Sequence, residues 1–104
     1  MADITIPLND YGYYLNFTVT DENGDAYNLT GYTITLKVWE PGKYDDPIIE
    51  GACSIVSAAD GTCRYLIADG DFTSIKNYYA EIELTRDGVV ESMPSFKITV
   101  TESA

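Results

Sequence analysis

The stretch YNLTGYTITLKVWEPG, residues 27–42, decides how the rest of the chain reads. From Tyr32 to Trp39 the side chains alternate: Tyr32, Ile34, Leu36 and Val38 fall on one side, Thr33, Thr35, Lys37 and Trp39 on the other. A period of two is the mark of a strand with one buried face. The tetrapeptide before it, Asn28-Leu29-Thr30-Gly31, is a turn device. Asn and Thr side chains bond nearby backbone there, Gly31 relieves strain, and Leu29 tucks into the core. The stretch has no histidine, no cysteine and no acid before Glu40, so it builds scaffold and carries no chemistry.

The alternation recurs on both sides. ITIPL (4–8) alternates, and Pro7 places it at a sheet edge because proline donates no ladder hydrogen bond. YYLNFTVT (13–20) sets Tyr13, Leu15, Phe17 and Val19 inward, with Tyr14, Asn16, Thr18 and Thr20 outward. DENGD (21–25) turns at Asn23-Gly24, and EPGKYDDP (40–47) is a long loop. IIEGACSIV (48–56) and TCRYLI (62–67) flank a hairpin turn closed by Asp60-Gly61. DGDFTSIKN (69–77) is polar, with room for one helical turn. YYAEIELT (78–85) sets Tyr78, Ala80, Ile82 and Leu84 inward, with Tyr79, Glu81 and Glu83 outward. After the tight turn RDG (86–88), VVESMPSFKITV (89–100) ends with Phe96, Ile98 and Val100 inward. No stretch has a helical period. The expected fold is all-β: an immunoglobulin-like β-sandwich of about seven antiparallel strands in two sheets, one domain over residues 1–104. Tyr78, two residues before inward Ala80, has the spacing of a tyrosine corner.

The totals exclude several classes. A chain of 104 residues is the size of one domain, and 45% hydrophobic with 12% aromatic content is too apolar for a disordered segment. Seventeen acids against six bases give a net charge of −11, which repels phosphate backbones and anionic membranes. Neither nucleic acid nor a membrane is an expected partner. The start MADITIPL has no basic or apolar leader region, and no apolar run nears the ~18 residues of a membrane helix. The chain is therefore expected to stay in the cell that makes it, or to leave by a route such as lysis.

Catalysis has little to work with. The absence of histidine removes the commonest general base and any Ser-His or Cys-His pair. An enzyme is not expected, and no cofactor or metal is implied. Asp21, Asn23 and Asp25 alternate as in a calcium loop, but Ala26 stands where glycine is needed and Tyr32 where the bidentate Glu is needed. Cys53 and Cys63 share inward parity on neighbouring strands; two buried thiols are expected in preference to a disulfide. The sequons at Asn16 and Asn28 are explained by strand and turn chemistry. Outward aromatics remain. Trp39, Tyr44, Tyr79 and Tyr14 are the candidate protein-contact residues, since exposed aromatics concentrate in interface cores. Aromatics also suit half-buried strands without any partner, and both readings stand at this point.

The order of pieces resembles the N-terminal domain of the phage baseplate upper protein family. The matching segments are Asp10-Tyr11-Gly12, Asn28-Leu29-Thr30-Gly31, Asp60-Gly61-Thr62-Cys63-Arg64-Tyr65, Tyr78 to Thr85 and Val90 to Val100. Each is soft turn or strand chemistry; their order and spacing carry the likeness, which spans nearly the whole chain. Asn28 replaces the family's Asp and keeps the turn-bonding side chain. The sequence stops at Ala104, where full family members continue into a stalk, so the expectation is either a short stand-alone relative or the attachment half without the presenting half. The resemblance implies a non-enzymatic structural protein of a tailed phage or prophage, made in the bacterial cytoplasm and assembled on the virion tail or baseplate. Other tail or baseplate proteins are the implied partners, with self-association left open. A head-decoration module and a carbohydrate- or host-surface-binding module are the alternatives.

Overall fold

A computed structural model describes residues 3–102. Eight strands follow in order: β1 (Ile4–Pro7), β2 (Tyr14–Thr18), β3 (Thr33–Trp39), β4 (Ile49–Ser57), β5 (Thr62–Leu66), β6 (Asn77–Arg86), β7 (Val89–Ser92) and β8 (Phe96–Thr101). They hydrogen-bond in the order β1-β8-β6-β3-β4-β5-β2, with β7 also on β6, and curl into a half-barrel. The all-β expectation holds. The chain has one strand more than expected, and residues 69–76, which had room for one helical turn, form a turn and bends before β6 begins at Asn77.

The longest strand, β6, organises one sheet. One of its edges takes β3 from Thr85 to Tyr79; the other takes β7 at Glu83–Arg86 and β8 at Asn77–Ala80. The final segment, which reads as one strand, is broken at residues 93–95 around Pro94. Met93 still donates its N–H to Ile82 O at 2.9 Å, but Pro94 has no N–H to continue the ladder. β1 then joins β8 in parallel, Ile4 opposite Ile98, which corrects the wholly antiparallel expectation.

β4 links the two sheets. Its first half pairs with β3 at Ile49–Cys53, and its second half pairs with β5 from Ser54. A bulge between Ile55 and Ser57 breaks the alternation and leaves Val56 57% exposed. The two inner faces enclose a core of Leu15, Phe17, Val19, Ile34, Leu36, Val38, Ile82, Leu84, Phe96, Ile98 and others, all buried. Fully burying one such side chain is worth about 1.5–3 kcal/mol, so the interior supplies the main folding drive.

The turns behave as their residues dictate. Leu29 is fully buried, Asn28 Oδ1 accepts from Thr30 N–H at 3.0 Å, and Gly31 has φ 80°. Gly61 (φ 71°) closes the β4–β5 hairpin so tightly that a Cβ would stand 2.4 Å from Val19 O. In DENGD, Asp21 Oδ1 accepts from the N–H groups of Asn23 and Asp25 at 2.9 and 3.0 Å.

Three tyrosine and tryptophan readings need correction. Tyr13 lies just before β2 and is 41% exposed, held by its own hydroxyl to Asp10. Tyr78 is buried, but its hydroxyl makes no hydrogen bond among the described residues and no tyrosine corner forms; its ring packs on Phe72. Tyr65 instead donates to Asp71 Oδ2 at 2.6 Å. The third case is Trp39. Cys53 and Cys63 are free thiols, and their mutual contact and burial push the Cys53 thiol upward.

Candidate functional site

Trp39 ends β3 with its ring on the outer face of the sheet, yet it is only 8% exposed. The parity was right and the exposure was not. Residues 40–47 fold back over this face, held by turns in which Lys43 N–H donates to Glu40 O and Asp46 N–H to Lys43 O. The fold-back carries Tyr44 onto Trp39, ring edge to ring face at 4.8 Å between centroids. On the other side Tyr79, directly opposite Trp39 in the ladder, packs at 6.3 Å. Trp39 is thus the floor of an aromatic group, while Tyr44 (43% exposed) and Tyr79 (37%) are the parts that reach solvent.

The polar groups beneath are matched to this arrangement. Lys37 and Glu81 face each other across β3 and β6. Tyr44 donates its hydroxyl to Glu81 Oε1 at 2.7 Å, and Lys37 Nζ sits 3.7 Å above the Tyr44 ring. Glu81 is buried, so the hydroxyl satisfies a carboxylate that would otherwise be costly to desolvate. The same hydrogen bond to Glu81 holds the Tyr44 hydroxyl above the ordinary phenol value. Glu40 anchors the loop's start through Lys76 and Lys43, which hold its carboxyl below the usual range. Outward parity placed Lys37 and Glu81 on the outer face; their opposition and the loop's return over them come from the structure.

Tyr14 lies elsewhere, on β2 in the second sheet. Its ring takes the Arg64 guanidinium at 3.9 Å and neighbours exposed Leu66 in register. Three of the four candidate residues therefore form one face, and the fourth belongs to another. A third polar group was missed entirely: Tyr27 donates to Glu91 Oε2 at 2.7 Å and meets the Tyr32 hydroxyl at 3.1 Å, and these bonds push the Tyr27 phenol upward.

On this surface the buried Glu81 carboxylate already takes a hydroxyl and Lys37 lies on a ring, which leaves Tyr44 and Tyr79 as its solvent-facing aromatic area.

Residues 4–104 match the family model of the BppU N-terminal domain, the phage baseplate upper protein. The fold is similar to the solved N-terminal domain of phage TP901-1 ORF48, with a TM-score of 0.68, 15% identity, and coverage of 98% of this chain and 100% of that one. No curated protein matches by sequence.

Proposed function

The chain belongs to the BppU N-terminal domain family, and from that premise we propose that it is a non-enzymatic structural protein of a phage baseplate, assembling on the tail through protein–protein contacts. The family match across residues 4–104 carries this reading. The likeness to the TP901-1 domain supports the same fold for the task. The partners are other tail or baseplate proteins. A net charge of −11 disfavours nucleic acid and anionic membrane.

The contact face is the aromatic group, with Tyr44 and Tyr79 as the contacting rings and Trp39 as their support. Tyr14 with Leu66 offers a second, smaller patch. In a symmetric particle one modest contact is repeated by every copy, so each can be weak and the assembly still firm.

Immunogold labelling of the chain on intact particles tests the location. Gold at the tail tip is the expected result; gold on the head would transfer the chain to head decoration. A Tyr44→Ala, Tyr79→Ala variant should join particles poorly. Incorporation equal to wild type would remove this face as the contact.

A further inference from the structure

The half-barrel does not close. β2 is the last strand of its sheet, and no ladder joins it to β7 or β8 among the described residues. Inside, Phe17 and Phe96 meet across the seam at 5.7 Å. Outside, a groove of about 410 Å³ runs between Thr18, Thr20 and Tyr27 on one side and Met93 and Pro94 on the other, with Asp21 and Glu22 at its rim.

The backbone at this seam is unspent. Ile67 donates to Tyr13 O and Val19 donates to Gly61 O, so odd-numbered residues of this segment bond toward β5. Tyr14, Asn16 and Thr18 therefore turn their N–H and C=O groups to the open edge. Such an edge is a template for another strand, and proteins usually blunt it with proline, lysine or other charge. β1 follows that practice with Pro7; the outward positions of β2 carry neither charge nor proline.

The charges identify the occupant. The groove's lining has two carboxylates and no cation. Five of the chain's six cations are engaged internally, with Lys37, Arg64 and Arg86 on rings and Lys43 and Lys76 on Glu40. A second copy carrying −11 would be repelled. We propose that the groove beside β2 is a strand-addition site that takes an extended, lysine- or arginine-bearing segment of a partner protein. Alternate side chains of that segment lie against Met93, Pro94 and Tyr27, and its cations reach Asp21 and Glu22. The groove is distinct from the aromatic face, and strand addition there does not require the partner to be a virion protein.

The test uses the full chain, isotope-labelled, and a capped heptapeptide alternating lysine and valine. Amide exchange at Tyr14, Asn16 and Thr18 should slow at least about tenfold at saturation, as amides newly paired in a ladder do. Replacing the peptide's lysines by glutamate should abolish this. Glu22→Lys, an exposed change, should weaken binding roughly three- to tenfold. Asn16→Pro should block protection along the edge, and if that variant does not fold, the Glu22→Lys result decides. Absence of protection, equal binding of the glutamate peptide, protection at Val90 and Ser92 in its place, or a dimer that protects the edge without peptide would each overturn the proposal.

Discussion

Gly51 of β4 lies against the ring of Tyr65, and a Cβ there would stand 2.6 Å from Cε1. That is about 1 Å inside ordinary contact, so Gly51→Ala forces the ring to move. The ring is not free to do so: it is 8% exposed, and its hydroxyl is tied to Asp71 Oδ2, which also accepts from Ala68 N–H at 2.8 Å. Overpacking of this kind costs about 1–3 kcal/mol, and slackening a hydrogen bond to a charged acceptor adds roughly 1 kcal/mol. Against this, alanine gains about 0.4–1 kcal/mol over glycine by restricting the unfolded chain. The net expectation is a loss of about 1.5–3 kcal/mol, or roughly 7–15 °C in Tm for a domain of this size. Thermal unfolding by circular dichroism reads it. In a Tyr65→Leu background the obstacle is gone, and the same Gly51→Ala change should be neutral or stabilising. Equal costs in both backgrounds, or a Tm that rises in the wild-type background, would refute the steric account.

Three further outcomes are expected. The single tryptophan reports the loop's return: Tyr44→Ala should shift Trp39 emission to the red and raise its quenching by acrylamide, whereas Tyr44→Phe should leave emission unchanged. Gly61→Ala places a Cβ 2.4 Å from Val19 O and 2.9 Å from Tyr27 O at φ 71°; backbone cannot yield there, and denaturant unfolding should show a loss of at least about 2 kcal/mol. Burial with the Asp71 bond raises the Tyr65 phenol, and bonds to Tyr32 and Glu91 raise that of Tyr27. The folded state holds these protons more tightly than the unfolded chain, so their stabilisation is complete below about pH 10 and is lost as pH rises further. Circular dichroism against pH should show that decline, less steeply for Tyr65→Phe.

Much of the architecture was readable because strand alternation is a local signal. Ile34, Leu36 and Val38, and likewise Ala80, Ile82 and Leu84, occupy the inner face their parity assigned. The misses share one cause: each depends on a residue distant in sequence. Trp39 and Glu81 have outward parity yet are buried, because Tyr44 arrives from a loop whose sequence says only that it turns. The parallel union of β1 with β8 spans more than ninety residues, and neither strand's pattern encodes the direction of its neighbour. Pro94 could have marked a break in the segment 89–100, but nothing local to it shows that both halves line the same edge of β6. The seam beside β2 was invisible for a related reason, since alternation marks what a strand buries and not whether both its edges are paired.

The parallel pairing of β1 and β8 also sets how the domain bears load. Ile4 lies beside Ile98 and Pro7 beside Thr101, so the two strands run the same way from opposite ends of the chain. Tension applied between Asp3 and Glu102 pulls them past each other lengthwise. Every bond of that ladder then resists at once, as in a lap joint, where a hairpin pulled at its open end would peel one bond at a time. A domain clamped in this way yields late and abruptly under such pulling, with the short first strand as its clamp.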